Sequence, residues 1–186
     1  MHHFESTQPW SSTPKPSFSS IQKRWLMRHG PLTQALRQHG TLELRVLGEY
    51  PAGACRDEAV RLNIEVRSPI WVREIVMSLD GIQCVAARSV TGLHASHGVW
   101  QGMRRLRSRP LADILYDDVA IVRSSFEVAR LNKQTALYRT VNAIKTEGQP
   151  LNPPHAALLA RRSVFWRQGS PLLVAECFLP DFWSLV

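Results

Sequence analysis

Ile70-Trp71-Val72-Arg73-Glu74-Ile75-Val76-Met77-Ser78-Leu79 is the stretch from which the rest of the chain can be read. Taken as a strand, its alternate side chains share a face. Trp71, Ile75, Met77 and Leu79 form one face with Arg73 among them, and Ile70, Val72, Glu74, Val76 and Ser78 form a more mixed face. The pattern aims Arg73 at the core. Near the C-terminus, Leu172, Val174, Glu176 and Phe178 share a face in the same way, with Glu176 as the lone charge. A buried charge is costly unless it is paired or holds a ligand of opposite sign. Arg73 and Glu176 are therefore either a structural ion pair or the two poles of a site for a small polar anion. For Arg73 the plain alternative is a stem along the sheet edge with its head in water; for Glu176 it is a partner for a lysine or arginine.

A length of 186 residues suits one domain with a real core, and the formal charge of +8 suits an anionic partner. The densest basic stretch is Arg104-Arg105-Leu106-Arg107, which reads as a solvated face rather than a nucleic-acid tail. The three cysteines, Cys55, Cys84 and Cys177, include no C-x-x-C pair, which argues against a disulfide framework or a zinc ribbon and for a reducing compartment. By alternation Cys177 lies opposite Glu176 and reads as buried and inert. No apolar signal region and no apolar run of about 18 residues is found, so no membrane span is expected, and the location is expected to be cytoplasmic.

Residues 1–19, rich in Ser, Thr and Pro, read as a flexible tail, and residues 20–186 as the domain. Helices are expected at 21–29, 32–39, 98–107, 110–116 and near 134–144, with strands at 42–47, 70–79, 84–90, 120–128, 158–167 and 171–179. Asp80-Gly81 and Gln168-Gly169 read as hairpin turns. Residues 132–157 read as an extended insertion with a loop at 148–154. Strand pairs joined by tight turns, with helices between them, indicate an α+β single domain with an antiparallel sheet flanked by helices.

No G-x-G-x-x-G, P-loop, H-E-x-x-H or G-x-S-x-G is present, which removes support for dinucleotide, nucleotide, zinc-protease and hydrolase chemistry. His94 and His97 lack a third ligand nearby, and a surface loop is the better reading. In Arg161-Arg162-Ser163 the two arginines point to opposite faces of a strand, so at most one can join an inner site.

In order and spacing, these segments resemble the chorismate pyruvate-lyase family. The resemblance rests on Trp71-Val72-Arg73-Glu74-Ile75, Asp80-Gly81, Ala86-Ala87-Arg88-Ser89-Val90 and Arg109-Pro110-Leu111-Ala112. It continues through Arg123, Phe126-Glu127-Val128, Arg161-Arg162-Ser163-Val164-Phe165 and the run Gly169 to Pro180. It implies a small antiparallel sheet enclosing one buried ligand site, with chorismate as substrate and 4-hydroxybenzoate and pyruvate as products. This would be the first committed step of ubiquinone biosynthesis, in a monomer without cofactor, metal or nucleic-acid partner.

The resemblance also implies roles. Arg73 and the Leu111 amide would hold the ring carboxylate, Glu176 the 4-hydroxyl, and Leu32 would give a main-chain contact. Apart from the resemblance, a dianionic substrate calls for a second cation to hold the enolpyruvyl carboxylate or the charge on the leaving group, and Arg88 and Arg162 are the candidates. Ala112 stands where many relatives have glycine, and would be strained if that position needs positive φ. The competing reading is a non-catalytic effector-binding domain of related fold; residues 1–40 are too short and too rich in Pro and Ser to supply its DNA-binding half.

Overall fold

The computed structural model describes residues 9–146 and 157–186. Their strands form one antiparallel sheet: β1 (Leu42–Gly53), β2 (Pro69–Leu79), β3 (Ile82–Gly92), β4 (Val122–Arg123), β5 (Glu127–Arg130), β6 (Leu159–Arg167) and β7 (Ser170–Phe178). The spatial order is β1-β2-β3-β7-β6-β4, with β5 also on β6. Both expected hairpin turns form. Asp80 and Gly81 have φ of 48° and 82°, and Gln168 and Gly169 have 47° and 73°. Two successive positive φ values match the turn that follows the right-handed twist of the flanking strands.

Helices cover both faces of the sheet. On the front, α1 (Ser20–Leu26) and α2 (Leu32–Leu36) bury Trp25, Leu26, Leu32 and Leu36 against Ile75, Met77 and Phe178. Ser19 and Gln22 cap α1 reciprocally: Gln22 N–H donates to Ser19 Oγ at 3.1 Å, and Ser19 N–H to Gln22 Oε1 at 2.9 Å. On the back, α5 (Ala136–Thr146) packs Leu137 and Val141 onto Val76, Ala86 and Ala175. There α3 (Arg56–Leu62) packs Ala59 and Leu62 onto Ile70, Val72 and Val90. A short α4 (Ala112–Leu115) sits beside the front-face cluster of Trp100, Met103, Leu106 and Phe165.

Several expectations change. The expected helix at 98–107 is instead a 3₁₀ segment, Gln101–Arg105, preceded by a 3₁₀ turn at Ala95–His97. Trp100, Met103 and Leu106 are all buried at a spacing of three, the period of a 3₁₀ helix. The expected strand 120–128 splits into β4 and β5. Arg123 pairs with Phe165 but Glu127 with Arg162, so four steps on one chain meet three on the other, and the extra residue bulges the strand beside Phe126. β1 runs six residues past its expected end, and α3 lies where no element was expected. Within the expected tail, residues 1–8 lie outside the described residues. From there on the chain is packed: Ser11 and Val128 exchange backbone hydrogen bonds of 2.9 and 2.8 Å, and Trp10 and Phe18 are buried. The expected loop 148–154 lies outside the described residues.

All three thiols are free, and they differ in surroundings. Burial pushes the Cys84 pKa up to about 12. Cys177 is fully buried on the back face, opposite Glu176 as alternation expects. Half-buried Cys55 has its pKa raised by burial and by Glu58, partly offset by Arg139. Thiolate is the reactive form. A colorimetric thiol titration of the native protein at pH 8 is therefore expected to find Cys55 alone, reacting slowly, and all three thiols in denaturant. Rapid native labelling of Cys84 or Cys177 would contradict this packing.

Candidate active site

Strand register sets the site. Glu49, Arg73, Ser89, Val174 and Ser163 are successive cross-strand partners from β1 to β6, forming one row on the front face. One step along the strands, Ile75, Ala87, Glu176 and Arg161 form the next row. Rows on the same face lie about 7 Å apart and strands about 4.8 Å, so the Cα atoms of Arg73 and Glu176 lie roughly 12 Å apart by ideal spacing. Between them, on β3, stand the short side chains of Ala87 and Ser89, and past Val174, on β6, stands Ser163. A pocket opens there, lined also by Leu32, Leu111 and Ala112.

Arg73 is 1% exposed and sits on an interior strand, so the edge-of-sheet alternative does not hold. Its Nε donates to Glu49 Oε1 at 2.9 Å, and its Nη2 donates to the carbonyls of Arg107 at 2.7 Å and Arg109 at 3.0 Å. A guanidinium has five N–H donors. Three are occupied, and the two on Nη1 have no acceptor among the described residues. Burial lowers the Arg73 pKa and Glu49 opposes that shift. The carbonyls that Arg73 grips belong to the loop leading into α4, in which Arg107 has a φ of 52°. The side chains of Arg105, Arg107 and Arg109 point outward as an exposed basic patch.

Glu176 repeats the arrangement with signs exchanged. Arg161 Nε donates to Glu176 Oε2 at 2.6 Å, and Arg161 Nη1 donates to the carbonyls of Trp25 at 3.2 Å and Arg28 at 2.9 Å. Arg161 is 2% exposed, and its Nη2 has no acceptor among the described residues. Each inward charge thus has its own cross-strand counter-charge, and each front-face arginine pins a covering segment to the sheet. Nearer the surface, Arg123 and Tyr116 also line the pocket. Burial raises the Tyr116 pKa.

The four expected site residues, Leu32, Arg73, Leu111 and Glu176, all line this one pocket. Leu32 opens α2 and Leu111 precedes α4, positions whose backbone N–H groups have no acceptor within their own helix. Arg88 and Arg162 do not join them. Both occupy the back-face row Glu74, Arg88, Ala175, Arg162, Glu127. Arg88 is tied to Glu58 at 2.7 Å and Glu74 at 2.8 Å, and Arg162 to Glu127 at 2.8 Å. Burial acts to lower the Arg88 pKa, but Glu58 and Glu74 outweigh it and the pKa is raised. Parity could have excluded them, since Arg88 is an odd number of steps from Ala87 and Ser89, and Arg162 from Arg161. Arg161 and Arg123 are the pocket cations that sequence reasoning missed. Ala112 is not among the positive-φ residues and adopts helical backbone, so alanine is unstrained there. His97 Nε2 lies 3.4 Å from Arg104 Nη1, away from the pocket.

An open antiparallel sheet with helices on both faces and a charged front-face pocket defines the class of domain. Its fold is shared with the PhnF C-terminal domain (TM-score 0.57, 16% identity, 78% of this chain and 87% of that one). It is also shared with the effector domain of PhnF from Mycobacterium smegmatis (TM-score 0.55, 14% identity, 82% and 90%). Within that class the chain belongs to the chorismate lyase family, whose model matches residues 7–186. It is 54% identical over 176 residues to a probable chorismate pyruvate-lyase of Bordetella pertussis strain Tohama I, covering 95% of this chain and 90% of that protein. It is 43% identical to probable chorismate pyruvate-lyase 1 of Burkholderia pseudomallei strain 1710b, covering 94% and 91%.

Removing one member of a buried ion pair leaves the other uncompensated, at a cost of about 3–5 kcal/mol when fully buried and about 2–3 kcal/mol here, because the Glu176 side chain is 16% exposed. Glu176→Gln is therefore expected to lower unfolding stability by about that amount in urea titration, because Arg161 keeps its charge in the interior. An unchanged midpoint would mean that the pair carries no net interaction.

Proposed function

We propose that the protein is a carbon–oxygen lyase that converts chorismate to 4-hydroxybenzoate and pyruvate. The observation that carries this reading is the placement of Arg73 and Glu176 at two ends of one pocket in a chain of the chorismate lyase family. Chorismate carries a ring carboxylate and, across the ring, a hydroxyl at C4. The two N–H groups of Arg73 Nη1 match the carboxylate bidentately. The Leu111 amide donates to the same carboxylate, the Leu32 main chain makes a further contact, and Glu176 accepts from the 4-hydroxyl. Arg73 is already desolvated and held by Glu49 and two carbonyls, so little reorganisation is needed on binding.

The reaction breaks the C3–O bond and the C4–H bond. One proton leaves C4 and one is gained by the methyl group of pyruvate, directly or through Glu176 as a base; the ether oxygen becomes the ketone, and the new C3–C4 double bond completes the aromatic ring. The balance closes without an external oxidant or co-reactant. Holding C4 and the enolpyruvyl ether in reacting geometry is the contribution asked of the protein. The same proposal extends to a first step toward ubiquinone, carried out in the cytoplasm by a monomer. Among the described residues no helix is long and apolar enough to cross a membrane.

The test follows products by chromatography after chorismate is added to metal-free protein. Equimolar 4-hydroxybenzoate and pyruvate are expected from the wild type. Arg73→Ala is expected to reduce kcat/KM by about two orders of magnitude or more, from loss of a charged hydrogen-bonding partner in a dry site. Tight 4-hydroxybenzoate binding without turnover would point to an effector-binding domain instead. Wild-type kinetics in the Arg73 variant would sink the clamp.

A further inference from the structure

Four charged side chains line the pocket: Arg73, Arg123, Arg161 and Glu176. Arg73 is balanced by Glu49 and Arg161 by Glu176. Arg123 has no carboxylate partner among the described residues. Its Nη1 reaches the Tyr116 hydroxyl at 3.4 Å and its Nη2 the His29 Nδ1 at 3.2 Å, neither of which brings a negative charge. An arginine can only donate, so this bond requires His29 Nδ1 to be unprotonated. Tyr116 in turn donates to the Gly30 carbonyl at 3.1 Å, which fixes the acceptor that Arg123 uses.

Arg123 also sits at a defined end of the pocket. Its guanidinium carbon lies 4.2 Å from the Phe126 ring centroid, and that of Arg161 lies 4.5 Å from the same centroid. One ring thus carries two cations while only one carboxylate, Glu176, serves them. Tyr116, whose hydroxyl Arg123 Nη1 reaches, lines the same pocket as Arg161 and Glu176. The unbalanced positive charge is therefore at the Glu176 end, away from Arg73.

Resting on the lyase reading above, we infer that Arg123, held by Tyr116 and His29 over Phe126, is the subsite for the second carboxylate of the substrate, the one on its three-carbon ether. The chemistry fits the position. The ether stands on C3, next to the C4 hydroxyl, so a substrate with its hydroxyl on Glu176 carries the side chain to that end. A dianion then meets Arg73 at one end and, at the other, Arg123, the cation there that has no carboxylate of its own among the described residues. The product 4-hydroxybenzoate keeps only the ring carboxylate and leaves Arg123 empty. Arg123 thus separates substrate from product, which Arg73 and Glu176 alone do not.

The experiment compares Arg123→Gln, Arg123→Lys and wild type in chorismate kcat/KM and in the 4-hydroxybenzoate Kd from calorimetry, with thermal melts as the folding control. The expected result is a roughly tenfold or greater fall in kcat/KM for Gln, as for loss of one charge-assisted contact, and a smaller fall for Lys. Product Kd should change less than twofold in both. Equal losses in both readouts, or none in either, would overturn the subsite. If Gln does not fold, the Lys variant decides by the same split between substrate and product. If the wild type does not turn chorismate over, the lyase reading falls. Calorimetry with intact chorismate then decides: the subsite stands if Arg123→Gln weakens chorismate binding alone, and falls if it does not.

Discussion

A guanidinium taken out of water must be compensated from several directions, and this sheet solves that problem four times. Arg73, Arg88, Arg161 and Arg162 are each at most 7% exposed. Each pairs with a carboxylate lying in its own cross-strand row or on the helix packed over it. Such pairs seldom add much net stability, because desolvation offsets the attraction. What they fix is position. On the front face Arg73 and Arg161 each use Nε on a carboxylate and one terminal nitrogen on two carbonyls of a covering segment. The covers at Arg107–Arg109 and Trp25–Arg28 are thus bound to the sheet through the residues whose remaining N–H groups face the pocket.

The back face uses the same residue types for a different end. Arg88 joins Glu74 to Glu58, and Thr140 donates to Glu74 at 2.5 Å, so α3 and α5 are linked to the sheet through one network. Glu58 also accepts from the Cys55 N–H at 3.0 Å, capping the helix it belongs to. With both faces covered, the pocket exists because Ala87, Ser89 and Ser163 are small where their neighbours are large. Room and charge are placed by the same register.

Much of this is legible in the sequence. Alternation alone aims Arg73 and Glu176 to one face and Cys177 to the other, and the two turn dipeptides mark both hairpins. The family resemblance adds Leu32 and Leu111, which no periodicity singles out. Failures come where local pattern underdetermines the outcome. Trp100, Met103 and Leu106 fit an α-helix or a 3₁₀ helix, and burial of all three selects the tighter turn. The tail composition hides Trp10 and Phe18, each buried by distant strands. Charge points to Arg88 and Arg162 where parity governs. Arg123 belongs to the family resemblance, but its inward placement gives no local signal, because the bulge beside Phe126 that accompanies it arises from pairing with β6.

The central claim is that one pocket reads an aromatic acid between Arg73 and Glu176. A crystal structure of the protein with 4-hydroxybenzoate tests it most directly. The carboxylate is expected within hydrogen-bonding distance of Arg73 Nη1 and the Leu111 amide, with the hydroxyl on Glu176 and Arg123 untouched. A ligand bound with its carboxylate on Arg161, or outside this pocket, would contradict it.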